Sequence, residues 1–343
     1  MIVFELSEKH NFYTMKKINT FHTIFRSEIE CSKGFFSNLF RLKIFPSNVL
    51  KAKGLKAKGL NSKFLAAASL IVCLIAAGCE PEQKIPAYIY IPKMKLVTNS
   101  ATEGTDSAKL IDAWVYSNDS LIAGVRLPAT VPIIGYGNTR ISVLAGIAEN
   151  GNFANPAIYP FFDKYEKNLA NRPGKADTLH PVFHYNSLTQ FPLIENFTLG
   201  NAINNEADGD TMTTMIVTNE SPLSPPNCAK IALDGVHTLC KVSSNELPMP
   251  TGTSQIWVEL SYRNNNTFSV GAIGYKNGVE FASSQEKVVL AKYYNTWNRT
   301  YINLTQELRN VSATSFKLVI TVLKDGGVAS PQVFLDDIKI VRF

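Results

Sequence analysis

The sequence predicts an all-β protein, two β-sandwich domains that follow a cleaved leader. Three observations carry the prediction. Gly, Pro, Asn, Ser and Thr punctuate the chain from residue 85 onward at intervals of about ten residues, the spacing of turns between short strands. The runs between them are rich in Val, Ile, Tyr, Phe and Thr, side chains that fit a pleated, half-buried surface. No stretch keeps a long apolar period of 3.6 residues, the mark of an amphipathic helix.

The chain of 343 residues leaves ample length for a core in each of two domains. Its formal charge of +6 is unevenly placed: residues 1–78 hold 12 Lys/Arg against 4 Asp/Glu, and residues 79–343 hold 22 against 24. The basic excess therefore belongs to the leader, and nothing in the remainder calls for a nucleic-acid partner.

Within the leader, Lys51, Lys53, Lys56, Lys58 and Lys63 form a basic segment without an acid, followed by 15 uncharged residues from Phe64 to Gly78. A basic start, a short apolar run and small residues before a cut are the parts of a secretory signal. The run is short for a bilayer span, which needs about 20 apolar residues. Signals begin close to the start of translation, so residues 1–50 are expected to lie upstream of the true start. Leu60, read as a TTG start, would give a leader of ordinary length, and 51–78 is the signal peptide. The run ends Ala76-Ala77-Gly78-Cys79, which resembles the lipobox of bacterial lipoproteins, with Ala76 where Leu is usual. The resemblance implies cleavage before Cys79, lipid on that cysteine and a membrane partner reached through the lipid.

Residues 79–84 then form a tether whose Glu80-Pro81-Glu82 resembles the surface-export signal of Bacteroidota lipoproteins. The same group attaches O-glycans at Asp-Ser/Thr followed by a small or apolar residue. Ser107, Ser120, Thr178 and Thr211 all stand in that pattern, where roughly one match is expected by chance. Together these features imply an outer-membrane, cell-surface address. Cys228 and Cys240, the two cysteines after Cys79, suit an oxidising compartment. A three-residue loop over Leu233–Gly235, with Gly235 left-handed, would set them directly across a hairpin, and a disulfide is expected there.

The first domain is expected over 85–185. Leu110–Tyr116 alternates and reads as a strand, Asn118-Asp119-Ser120 as its turn and Leu121–Val125 as the return. The prolines 128 and 132 confine the next segment to a sheet edge. Thr139–Ala145 is a further strand ending at Gly146. This order resembles small PEGA-type surface β-domains. Tyr159-Pro160-Phe161-Phe162-Asp163 is an aromatic knot expected to close one end of the core.

Residues 186–193 read as a linker and 194–343 as the second domain. Ile256–Tyr262 alternates; Asn264-Asn265-Asn266 turns it into Thr267–Tyr275; Lys276-Asn277-Gly278 signals a hairpin; Trp297–Leu304 and Ser315–Leu323 are further strands. The closing Gln332–Val341 and the opening Ile194-Glu195-Asn196-Phe197 resemble the last and first strands of carbohydrate-binding jelly-roll modules and galactose-binding-like domains. That resemblance implies a jelly roll, a glycan ligand, and a structural Ca²⁺ held by Glu195 and Asp336, carboxylates being the hard oxygen donors Ca²⁺ takes. The acidic loop Glu206-Ala207-Asp208-Gly209-Asp210 is either a further donor set or a solvated loop.

Sugar binding needs aromatic faces and a few polar groups for hydroxyls. Tyr293 and Tyr294 precede a loop signal and are the expected stacking pair, whereas Trp257 and Trp297 lie in alternating strands and are expected in a core. No nucleophile elbow, zinc-protease motif or phosphate-cradling loop occurs after Cys79. His180 and His184 on a strand would stand about 13 Å apart, too far for one metal. No cofactor is required by this reading. A glycosidase needs only two carboxylates, so enzyme activity is left open, with binding favoured. The expected partners are a membrane and either a glycan or an outer-membrane protein complex that the chain would serve as an accessory subunit.

Overall fold

The computed structural model describes residues 85–343 apart from 136, 251–253, 282–286 and the side chain at 295. The leader, Cys79 and the tether lie outside the described residues. The protein is all-β, two packed β-layered halves. Ala87–Ile91 alternates between buried and more exposed residues, whereas Ile256–Asn264, Phe268–Lys276 and Gln332–Arg342 are buried along almost their whole length.

In the first half the main strands are β1 (Ala87–Ile91), β2 (Asp112–Ser117), β3 (Ser120–Arg126), β4 (Ala129–Ile133), β5 (Asn138–Ala148), β6 (Tyr165–Ala170) and β7 (Ala176–Thr178). β2 and β3 form a hairpin about Asn118 and Asp119, both left-handed with φ of 46° and 67°. Two left-handed residues give the turn the twist of its strands. β3, β2 and β5 lie in one sheet, with β6 and Pro156–Ile158 also on β5; β4, β1 and β7 form a second. β4 is an edge strand, so Pro132 removes no central ladder bond. β5 runs through Gly146 instead of ending there. Glycine is needed because a Cβ at this position would stand 2.8 Å from the Cβ of Asp112 on the neighbouring strand. Ile89, Ile91 and Val131 of one sheet pack against Val115, Ile141 and Val143 of the other.

The second half begins with β8 (Gln190–Glu195), so residues 190–193, expected in the linker, are strand. It continues through β9 (Met215–Thr218), β10 (Cys228–Ala232), β11 (Leu239–Ser243), β12 (Ile256–Asn264), β13 (Phe268–Lys276), β14 (Val279–Phe281), β15 (Val288–Leu290), β16 (Tyr293–Asn303), β17 (Ser315–Leu323) and β18 (Gln332–Arg342). One sheet has the order β9-β10-β18-β12-β16, with β8 also on β18. The other has Asn205–Glu206, β11, β17, β13 and β14 in order, with β15 also on β13 and Leu247–Pro248 on β17. Between them Val258, Leu260, Val270, Leu318, Ile320 and Leu335 fill a continuous core. β13 and β14 are joined at Asn277 and Gly278, again both left-handed.

The connection between Cys228 and Cys240 is a correction. β10 belongs to the first of these sheets and β11 to the second, so the chain arches between layers instead of folding back as a hairpin. Gly235 is not left-handed; Asp234 Oδ1 instead accepts the amides of Val236 and His237 at 2.7 Å and shapes the arch. The two cysteines are free and buried. Burial pushes the Cys228 thiol up to about 11 and the Cys240 thiol up to about 12.

The halves belong to one compact unit, Gln83–Phe343. The aromatic knot joins them. Tyr159 meets Trp257 edge-on with ring centroids 5.6 Å apart and lies 5.1 Å from Tyr301, so its ring packs against the outer face of the second half. This explains why β12 is buried on both sides: Ile256, Val258 and Leu260 face its own core, and Trp257 and Glu259 face the first half.

Candidate functional site

Alternation along β12 sends Trp257, Glu259, Ser261 and Arg263 to the outer face of the sheet. The register sets Glu259 beside Tyr301 and Lys339, Ser261 beside Arg299 and Asp336, and Arg263 beside Phe334. The first half covers the end nearest Trp257 and leaves the end nearest Arg263 open.

The covered end holds a buried ionic cluster. Tyr159 and Tyr185 donate to Glu259 Oε1 at 2.5 and 2.8 Å, and Arg299 donates to Oε2 at 2.5 Å. Burial pushes the Glu259 carboxyl up, but the charges of Arg299 and Lys339 outweigh it and hold the group below its ordinary value. Burial brings Lys339 down to about 8; its ammonium donates to Thr105 O at 2.6 Å. Both Glu259 oxygens are occupied and the residue is wholly buried, which fits a structural joint between the halves.

The open end is a cleft of about 290 Å³, lined among others by Ser107, Lys109, Ser261, Tyr293, Trp297 and Asn298. Lys109 comes from the first half. Its amide donates to the Tyr301 hydroxyl at 3.0 Å and its ammonium to Asn298 Oδ1 at 2.6 Å, beneath which Asn298 Nδ2 donates to the Tyr262 hydroxyl at 2.7 Å. The ammonium also lies 4.7 Å from the centre of the Phe153 ring and 5.7 Å from that of Tyr293, and partial burial lowers its pKa. Trp297 is pinned edgewise by its indole N–H, which donates to Ser221 O at 3.2 Å. On the far side of Trp297 the Arg263 guanidinium lies 5.7 Å from the indole and 4.0 Å from Phe334. Beyond it is a second hollow bordered by Arg263, Asn265, Tyr294 and Gln332.

The expected stacking pair is thus divided: Tyr293 lines the cleft, and Tyr294, 58% exposed, lines the second hollow. Trp297 is a correction, because it faces the cleft and not a core. Trp297 keeps phase with Arg299 and Tyr301 on the outer face of the strand, whereas Ile302 and Leu304 take the core face, so the alternation is present and it is the choice of face that differs from the expectation. Trp257 is buried, at the joint. Lys109, Arg263 and Asn298 were not singled out in the sequence: Lys109 reaches Asn298 only across 189 residues, and Arg263 comes near only through the pairing of β12 with β16.

Glu195 and Asp336, the expected Ca²⁺ ligands, each accept hydrogen bonds from backbone amides: Glu195 from Phe197 and Ala202, both at 2.6 Å, and Asp336 from Leu223, Ser224 and Asp337 at 2.8–3.0 Å. Burial brings Asp336 up to about 7. Among the described residues no group of three or more His, Cys, Asp or Glu is placed to hold a metal. A cation between Glu195 and Asp336 would have to share oxygens already given to backbone amides. In the acidic loop, Asp208 accepts the amides of Asp210 and Lys241, and Asp210 meets His237 at 2.7 Å, so its carboxylates organise the loop itself. Of the four expected glycan acceptors, Ser120, Thr178 and Thr211 are exposed and Ser107 is half-buried in the cleft.

No family model matches the sequence, and no curated protein does. Three solved structures illustrate what the chain is similar to in outline. The enzymatically active domain of tailspike protein 4 of bacteriophage CBA120 is 11% identical, covering 42% of this chain and 20% of that one, with a TM-score of 0.34. This chain thus spans about a fifth of that tailspike chain. A carbohydrate-binding module of the β-sandwich superfamily is 11% identical over 76% of this chain and 99% of that one, with a TM-score of 0.33. The K3 cleaved adhesin domain of Lys-gingipain from Porphyromonas gingivalis is 16% identical over 45% and 98%, also with a TM-score of 0.33.

Proposed function

We propose that the protein is a non-catalytic glycan binder held at the outer face of a bacterial outer membrane by lipid on Cys79, with the Trp297 cleft as its ligand site. The observation that carries the binding reading is the composition of that cleft. Two aromatic rings, Tyr293 and Trp297, share one open hollow with hydroxyl, amide and ammonium groups from Ser107, Ser261, Asn298 and Lys109. Sugars offer an apolar face of C–H bonds and a rim of hydroxyls, and rings beside short polar side chains complement both. Hydrolysis of a glycosidic bond calls for a pair of carboxylates flanking it. Among the described residues lining the cleft and the second hollow there is no Asp or Glu, which favours capture over cleavage.

The lipid address is supported by the sequence from Lys51 to Cys79, and the surface address by Glu80-Pro81-Glu82 and the Asp-Ser/Thr sites. Affinity electrophoresis of the mature protein through gels carrying single polysaccharides tests the binding reading. At least one polymer is expected to retard the wild type and to lose its hold on Trp297→Ala. Free migration of the wild type through neutral and acidic polymers alike would overturn the reading.

A further inference from the structure

The charge of the cleft narrows the ligand further, an inference that rests on reading the cleft as a sugar site. Lys109 from the first half and Arg299 line the cleft, and Arg263 borders the second hollow with its guanidinium 5.7 Å from the Trp297 ring that lines the cleft. Arg299 is neutralised by Glu259. Neither Lys109 nor Arg263 has a carboxylate partner among the described residues. Lys109 spends its donors on an amide oxygen and two ring faces, and Arg263 on a backbone oxygen of Glu220 and two ring faces.

That arrangement is costly to keep for its own sake. Several lysines, such as Lys93 and Lys276, also lack a carboxylate partner among the described residues, but those are exposed to solvent. Lys109 and Arg263 are half-buried against aromatic rings, and the Arg263 Nε is buried without a hydrogen-bond partner. Partial burial already lowers the Lys109 pKa, meaning that its charged form is under-solvated where it stands. An anion entering the cleft would relieve this, and cations held against aromatic rings stay available to a second partner on their open side. The rest of the geometry is made for a ring with hydroxyls.

We infer that the cleft takes an acidic polysaccharide, with a sugar ring against Trp297 and its carboxylate or sulfate groups paired with Lys109 and Arg263. The two anions share the chemistry that matters here, oxygen acceptors with a full negative charge. Which of them is bound is for the test to say.

The mature protein is titrated calorimetrically with polygalacturonate, alginate and dextran sulfate, and with carboxyl-reduced polygalacturonate and unmodified dextran as neutral twins. An acidic polymer is expected to bind at least tenfold more tightly than its twin, and the polymer that does so identifies carboxylate or sulfate. Lys109→Gln and Arg263→Gln are each expected to weaken that binding at least fivefold with unfolding temperature unchanged. Trp297→Ala is expected to weaken it too, which diffuse attraction to a charged polymer would not show. Equal binding of an acidic polymer and its neutral twin, or wild-type affinity in both cation variants, overturns the acidic preference and leaves glycan binding standing. Failure of every polymer, neutral ones included, overturns both.

Discussion

Arg299 reaches Glu259 diagonally across two paired strands, Nη2 to Oε2 at 2.5 Å, and both side chains are almost wholly out of water. The other Glu259 oxygen is closed by phenols from the opposite half of the molecule. A charge pair so placed is valuable to the fold chiefly because neither member can be left alone.

Glu259→Gln is therefore expected to lower the unfolding free energy by about 3–5 kcal/mol, since it strands the Arg299 charge in a buried place. The double replacement Glu259→Met with Arg299→Met is expected to cost much less than the two single changes added together. Urea unfolding of the four proteins measures this directly. Additive costs would show that the two groups do not act as a pair.

The phenols give a sign-definite dependence on alkaline pH. Burial, then the neighbouring Glu259 charge, hold Tyr159 and Tyr185 well above the ordinary 10.0 in the folded protein. A folded-state pKa above the unfolded one means that their contribution is complete below pH 10 and is lost as the pH rises beyond it. Absorbance at 295 nm is expected to show a class of tyrosines that ionises only as the protein unfolds, and Tyr159→Phe with Tyr185→Phe should shrink that class.

The ligand-site residues should separate by depth. Trp297→Ala removes a large stacking surface, and a loss of about 1–2 kcal/mol, roughly five- to thirtyfold in affinity, is expected. Tyr294→Ala, in the outer hollow, should cost less than about threefold for short oligosaccharides. Calorimetry on the ligand found by gel retardation checks both. Equal losses would place the two hollows under a single ligand unit.

Cys228 and Cys240 should remain thiols. Both are buried with thiol pKa values well above neutrality, so alkylation of the native protein is expected to leave them unmodified, and unfolding without reductant should expose both. A peptide linking the two in a non-reduced digest would restore the disulfide that the spacing first suggested.

Lipidation is read out independently of binding. Cells fed a radiolabelled fatty acid should label the wild type and not Cys79→Ala, and the variant should leave the membrane fraction. Label retained by Cys79→Ala would defeat the lipid-anchor proposal.

Strand positions were legible wherever the residues themselves force the geometry. Asn118-Asp119 and Asn277-Gly278 accept left-handed backbone cheaply, so both hairpins are written locally. Asp234-Gly235 carries the same letters and makes an arch. A turn signal says that the chain reverses and leaves open which layer it enters, and here the layer is decided by β17 and β18, about 90 residues later. The site followed the same division. Tyr293 was visible as an aromatic beside a loop, whereas alternation alone does not say which face of its strand meets the core, which concealed Trp297, and Lys109 was concealed by its distance along the chain from Asn298.

The strand Gln332–Arg342 lies between partners supplied as early as residue 190 and holds β8, β10 and β12 in one sheet. A growing chain that has not yet delivered it leaves the edges of those strands unpaired, exposed to aggregation and to proteases. Closure of this layer is thus timed by its final segment.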